Sequence, residues 1–176
     1  MIATERLVMR AWSEGDIDPF HAICSDPVVM ATLGAPMSRE QVATRVGQMQ
    51  EMQAELGHCF WALERQDDVR LIGWCGVIRG SVGPVLGKPE LGWRLAADCW
   101  GYGYASEAAR GARDWAFATL PDAEVWAITT VANQRSRAVM ERLGMTWRPE
   151  LDFDHPQVPD GDPLQRHVAY VQARTG

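Results

Sequence analysis

The sequence is short of long apolar runs, of paired cysteines, of net positive charge and of tyrosine, and each shortage removes a class of function. No apolar run is long enough to cross a bilayer, and the amino terminus lacks the hydrophobic centre of an export signal. A cytoplasmic protein that stays off membranes is expected. Cys24, Cys59, Cys75 and Cys99 form no CxxC pair and keep no fixed spacing to His21, His58, His155 or His167. Neither a disulfide framework nor a metal site is expected, and buried free thiols are the better account. Cys99, beside a glycine-containing turn, is the one cysteine placed to act as a nucleophile. Seventeen basic against 23 acidic residues give a net charge of −6, which argues against nucleic acid and suits a cationic or amine partner. Three tyrosines stand against eight tryptophans, an indole load expected to be shared between a core and a ligand groove.

What is present suits one domain, residues 1–176, with 47% hydrophobic residues to build its core. The chain is organised around the stretch from Glu90-Leu-Gly-Trp-Arg-Leu95 to Ala109. A period of two sets Glu90, Gly92 and Arg94 on one face of a strand and Leu91, Trp93 and Leu95 on the other. From Ala105, small apolar residues recur as Ala108, Ala109, Ala112, Trp115 and Ala116, one face of a helix. Between strand and helix lies Trp100-Gly-Tyr-Gly-Tyr104. Its glycines permit either a plain turn or a phosphate cradle formed with the bare amides of the helix's first turn. A dinucleotide-binding fold fits poorly: Ser106 stands where a third small residue is wanted, and Glu124 precedes the next apolar strand instead of following it.

The remaining elements are read from local signals. An opening strand over 4–12 leads to a helix started by Ser13 and Asp16, with Ile17, Phe20, His21 and Cys24 on its buried side, and ended by Asp26-Pro27. Ser38 and Gln41 open a second helix with a stripe of Val42, Val46, Met49 and Leu56, closed by Gly57. Runs 58–64 and 71–78 read as an antiparallel hairpin, and 80–89 as a loop beside the candidate site. The strand 125–131 comes after the long helix, so strand, crossover helix and strand imply a locally parallel pair. Asn133 introduces a short helix ended by Gly144, either as its cap or as a ligand contact. Segment 150–163 is an Asp- and Pro-rich loop, in which Asp152, Asp154, Asp160 and Asp162 form either an anionic rim or a solvated turn. His155 and His167 are either partly buried structural groups or members of the site. A closing strand spans 167–173. The class is α+β with a mixed sheet.

Three segments in order resemble the GNAT N-acetyltransferase superfamily, and within it the RimJ/RimL-like branch. They are Thr4-Glu-Arg-Leu-Val-Met-Arg10 with Asp26-Pro-Val-Val-Met30, Trp100-Gly-Tyr-Gly-Tyr-Ala-Ser-Glu-Ala108, and Asn133-Gln-Arg-Ser-Arg-Ala-Val-Met-Glu-Arg-Leu-Gly-Met145. The resemblance implies a mostly antiparallel sheet with a central splayed parallel pair, flanked by helices. It implies acetyl-CoA as co-substrate without a metal, held in the V between the strands at 90–95 and 125–131. Backbone groups of Trp93, Arg94 and Leu95 would pair with the pantetheine arm. The amides of Gly101, Tyr102, Gly103, Tyr104, Ala105 and Ser106 would hold the pyrophosphate, and Trp100 beside them would also contact the cofactor. Asn133 would touch the pantetheine, and Arg137 would either reach a phosphate or lie on a solvated helix face.

The acceptor implied is a primary amine, either a small molecule or a protein N-terminus. Glu90 matches the acid some members carry on the cofactor strand and would be the general base, against the alternative of a surface carboxylate. Many members protonate the leaving thiolate with a tyrosine where this chain has Met140, so Ser136, matching the serine proposed for RimL-type members, becomes the candidate acid. Asp98 also departs from the usual first position of the pyrophosphate motif. The alternative function is a catalytically silent acyl-CoA sensor or interaction module. A monomer or homodimer is expected.

Overall fold

The structure is a computed structural model that describes residues 1–174; the last two positions of the expected domain lie outside the described residues. The amino-terminal segment forms two short strands, β1 (Ile2–Ala3) and β2 (Leu7–Arg10). The Ser13 and Asp16 side chains then close a reciprocal cap around a turn of 3-10 helix that runs into α1 (Ile17–Cys24). α1 ends just before Asp26-Pro27 as expected, but the pair also starts another helix. Asp26 accepts from the amide of Val28 and Pro27 opens the four-residue α2 (Pro27–Met30), because proline's fixed φ suits a first helical turn as well as a stop. The Ser38–Gln41 capping box opens α3 (Arg39–Leu56), and Gly57 ends it at φ +76°. Val42, Val46 and Met49 are buried as expected, but Leu56 is exposed because the left-handed Gly57 turns the chain away at that point.

The hairpin is β3 (Phe60–Arg65) and β4 (Arg70–Arg79), paired antiparallel. After it come β5 (Pro89–Leu95), α4 (Tyr104–Thr119) and β6 (Glu124–Thr130), then α5 (Gln134–Arg142). The chain closes with β7 (Thr146–Trp147), β8 (Phe153–Asp154) and β9 (Arg166–Ala173). The sheet order is β1-β2-β3-β4-β5-β6-β9-β7, with β8 also on β9. Its pairings are antiparallel except β5 with β6, which are parallel and share one register pair, Glu90 with Trp126. The strands separate beyond that pair, the splayed V expected between residues 90–95 and 125–131.

Helices cover both faces. Ala108, Ala109, Ala112 and Ala116 of α4 are buried, and their small size lets the helix lie close on β4 and β5. On the other face α1 packs over β4 and α3 packs on α1, adding Phe20, Val42 and Val46 to the core. A smaller apolar cluster of Val85, Trp126 and Val171 sits on the Glu90 face of β5 and β6. Among the described residues no helix is long and apolar enough to cross a membrane. The four cysteines are free and buried.

Candidate active site

Gly101 and Gly103 adopt φ +86° and +83°, left-handed conformations that glycine enters without steric cost. They fold the chain from β5 into α4, whose N-cap, Gly103, offers no side chain to the first turn. Among the described residues no amide from Gly101 to Ser106 donates to a protein acceptor, and the first ordered bond of this helix runs from Glu107 N to the Gly103 carbonyl. Bare amides at a positive helix end make an anion site. They open onto a cleft of about 960 Å³ between β5, the α4 N-terminus, α5 and the segment around α2. Thr130 Oγ1 donates to the Thr32 carbonyl at 3.3 Å, tying that segment to β6.

Of the residues the sequence pointed to, Trp93, Arg94, Leu95, Trp100, Gly101, Gly103, Tyr104, Ala105, Ser106, Asn133 and Ser136 line this cleft. Tyr102 stands outside it, 64% exposed and stacked on Tyr104, with its carbonyl accepting from Arg6. Arg137 also points elsewhere: its Nε donates to Tyr170 Oη at 3.1 Å and its guanidinium lies over Trp147. Apart from Arg94, the cations of the cleft that have no carboxylate partner among the described residues are Arg110, Arg135 and Arg142. Arg135 and Arg142 are seven residues apart, two turns along one face of α5, whereas Arg137 lies about 200° around the helix from Arg135. That spacing was the signal the sequence offered. Arg135 stacks over the Trp100 ring at 4.6 Å and so stands beside the glycine turn. Arg6 also lines the cleft, but Glu107 takes its charge at 2.6 Å.

Asn133 is the cap of α5: its Oδ1 accepts from Ser136 N at 3.2 Å. Among the described residues its amide nitrogen has no hydrogen-bond partner, which leaves it free for a ligand. The Ser136 hydroxyl is likewise unbonded, since the capping role belongs to Asn133. Asp98 pairs with Arg70 at 2.7 Å on the surface. The Cys99 thiol lines the cleft, but burial, with Asp98 adjacent, raises its pKa, so it is held as a thiol. The aspartates of the 150–163 loop are engaged locally: Asp152 accepts from Trp147, Asp154 from Arg166, Asp160 from Gln165 and Asp162 from the Leu164 amide. His155 and His167 lie against each other, their rings tilted by 41° with centres 4.8 Å apart, and burial lowers the pKa of both.

Glu90 is not part of the cleft wall; it occupies the closed end of the V. Its neighbours across the strands are Ile78 on β4 and Trp126 on β6, so its carboxyl is flanked by apolar side chains. Burial pushes its pKa up to about 7. The nearest cation along that face, Lys88, has its ammonium over the Trp126 ring at 3.5 Å. On the same face, Phe60 and Trp74 stack at 4.2 Å over Gly92, where any Cβ would come within 2.7 Å of the Phe60 ring. Among the described residues no group of three or more His, Cys, Asp or Glu side chains could hold a metal.

This arrangement fits a long ligand with a diphosphate at one end and an amide-bearing arm that enters between two parted strands. Residues 6–146 match the acetyltransferase (GNAT) domain family. A Bacillus subtilis (strain 168) protein, YkkB, is 27% identical over 145 residues, 82% of this chain and 84% of its own. A solved acetyltransferase from Agrobacterium tumefaciens str. C58 superposes with a TM-score of 0.79 at 28% identity, covering 98% of this chain and 94% of that one. The ribosomal L7/L12 alpha-N-protein acetyltransferase RimL, solved with coenzyme A, shares the fold at TM-score 0.76 and 17% identity, covering 97% and 95%. The chain belongs to the GNAT acetyltransferase family.

Proposed function

We propose that this chain is an N-acetyltransferase of RimJ/RimL-like type that moves the acetyl group of acetyl-CoA to a primary amine of a small molecule or a protein N-terminus. The observation that carries the reading is the run of unpaired amides at Gly101–Ser106, set beside the unpaired Arg110, Arg135 and Arg142 in a chain of net charge −6. Those amides would hold the pyrophosphate, the arginines the outer phosphates, and the backbone of Trp93–Leu95 with the Asn133 amide the pantetheine arm. The co-substrate supplies a thioester, a carbonyl reactive enough for direct attack by an amine.

The chain's own residues handle protons. An aliphatic ammonium has a pKa of ~10.4 and an α-ammonium of ~8, so either arrives protonated and cannot attack. Glu90, with a pKa of about 7, accepts that proton near neutral pH, directly or through one water. The Ser136 hydroxyl, unbonded in the cleft wall, is placed to donate to the departing thiolate. The four free cysteines suit a reducing, cytoplasmic setting.

The test is calorimetric binding of acetyl-CoA, then thiol release over a panel of amines and peptides with Glu90→Gln and Ser136→Ala alongside. Binding with turnover that falls at least ~100-fold in Glu90→Gln supports the enzyme. Tight binding with no turnover on any amine favours the silent sensor, and no binding removes both.

A further inference from the structure

A second cavity, of about 130 Å³, opens on the Glu90 face of the sheet between α1, α3 and β5. Trp12, Phe20, Phe60 and Trp74 wall it, and Arg94 and Arg45 are its only charged residues. Arg94 lines both this cavity and the co-substrate cleft, so the two spaces meet at its side chain. Strand alternation puts that side chain on the same face as Glu90, four residues and about 13 Å along β5.

Arg94 is the anomaly. Among the described residues nine other arginines form ion pairs with carboxylates; Arg94 forms none there. Its Nε is fully buried with no partner at all. Its Nη1 reaches only sulfur, Cys24 Sγ at 3.2 Å and Met37 Sδ at 3.7 Å, and sulfur is a weak acceptor. Cys24 is no counter-anion, since burial keeps its thiol protonated. The acids close by are consumed elsewhere: Asp16 and Glu64 both bind Arg10, and Asp18 binds Arg39. Arg45, exposed at the rim, is also unpaired. A guanidinium whose Nε is buried without an acceptor is costly, and its fork matches a carboxylate edge to edge.

An aromatic-walled pocket could in principle cage a cation. Two unpaired guanidinium groups repel one, which decides between the readings. We propose that this cavity binds the acceptor and that Arg94 receives its carboxylate. The acceptor is then a small amine with an apolar or aromatic body and a carboxylate at the end away from the reacting nitrogen, its amine directed toward Glu90. This rests on the acetyltransferase reading above and narrows it.

The test uses two matched trios at saturating acetyl-CoA. They are 4-(aminomethyl)benzoate, its amide and 4-methylbenzylamine, and 4-(2-aminoethyl)benzoate, its amide and 4-methylphenethylamine. In the wild type the carboxylate member of at least one trio has kcat/KM about tenfold to a hundredfold above its uncharged partners, the usual worth of a charge-assisted bond. Arg94→Gln brings that ratio near one and Arg94→Lys keeps part of it; Arg45→Gln lowers it less. Because the ratio is taken within each variant, any effect on acetyl-CoA cancels.

A turnover-free arm tracks quenching of Trp12 and Trp74 fluorescence by 4-methylbenzoate, expected in the wild type and lost in Arg94→Gln. An uncharged amine or a polyamine that outperforms the carboxylates, a preference that survives Arg94→Gln, or no binding of 4-methylbenzoate by the wild type overturns the proposal. Failure of acetyl-CoA to bind the wild type instead overturns the reading on which it rests, and calorimetry separates the two.

Discussion

Glu90→Gln should stabilise the protein at alkaline pH and leave it unchanged at acid pH. A carboxyl whose folded pKa is raised from its ordinary 4.5 to about 7 binds its proton more tightly in the folded state than in the unfolded chain. Below pH 4.5 both states hold that proton and the group is neutral in its effect. As pH climbs from 4.5 to 7 the unfolded chain ionises while the folded one resists, and stability falls. Above 7 the folded protein carries a charge between Ile78 and Trp126, and the full penalty applies. At about 1.4 kcal/mol per pH unit, the rise corresponds to roughly 3 kcal/mol.

Glutamine has the same shape and cannot ionise, so it escapes that penalty. Urea unfolding of both proteins without ligand, at half-unit steps from pH 5 to 8.5, gives the difference directly. His155, His167 and the other titrating groups are common to both and cancel. The difference should be small at pH 5 and approach about 3 kcal/mol at pH 8, with its midpoint between 5 and 7. Parallel curves across that range would refute the dry carboxyl and, with it, the argument for a base tuned to neutrality. The same substitution should remove the acidic limb, centred near 7, from the kcat/KM profile.

Three further outcomes are expected from the geometry. Gly103→Ala places a Cβ at φ +83°, which costs about 1 kcal/mol of stability and disturbs the amide cradle; acetyl-CoA affinity measured by calorimetry should drop about tenfold, and an unchanged affinity would remove the turn from the site. Arg135→Gln and Arg142→Gln should each weaken acetyl-CoA binding by roughly three- to tenfold at low ionic strength and less at high salt, whereas Arg137→Gln, whose side chain faces Tyr170 and Trp147, should not. Asp16 is held below the usual carboxylate range: burial opposes this, but the bonds from Arg10 and Ser13 outweigh it. Asp16→Asn should therefore cost about 2 kcal/mol at pH 7, present above the ordinary carboxylate pKa and fading in acid as the wild-type group protonates, as urea unfolding at pH 7 and pH 3 would report.

Local chemistry made much of this readable in advance. The glycine turn before a run of alanines identified the α4 N-terminus, two capping boxes located their helices, and alternation set Glu90, Gly92 and Arg94 on one face. What stayed hidden depends on distant parts of the chain. The strands β1, β7 and β8 are two residues each, too short for any period to show. The position of β9 between β6 and β7 is set by pairings far apart in sequence. Asp26-Pro27 could open a helix as well as end one, and only the packing of Val29 and Met30 decided it. Alternation named the face that carries Arg94 but not what lay opposite; the two sulfurs and four aromatic rings that leave it without an anion come from α1, from the segments before α1 and before α3, and from β3 and β4, brought together by folding.

One register pair links the two halves of the chemistry. Because the ladder between β5 and β6 has a single register pair, Glu90 with Trp126, the edge of β5 beyond that point has no strand hydrogen-bonded to it. Backbone groups left without partners in a narrow space are costly unless water or a ligand satisfies them. A ligand arm with amides of its own meets that need, which is why the parting of the strands suits a pantetheine. The same pair is the last place where β5 is flanked on both sides, by Ile78 and Trp126, so a carboxyl set there is shielded where its successors on the strand are open. Had the strands parted two residues earlier, Glu90 would face the cleft, gain water and return toward an ordinary carboxylate pKa. Had they parted two residues later, a ligand arm would have less of β5 to pair with. The length of the parallel contact thus sets the depth of the cleft and the basicity of the residue at its end together.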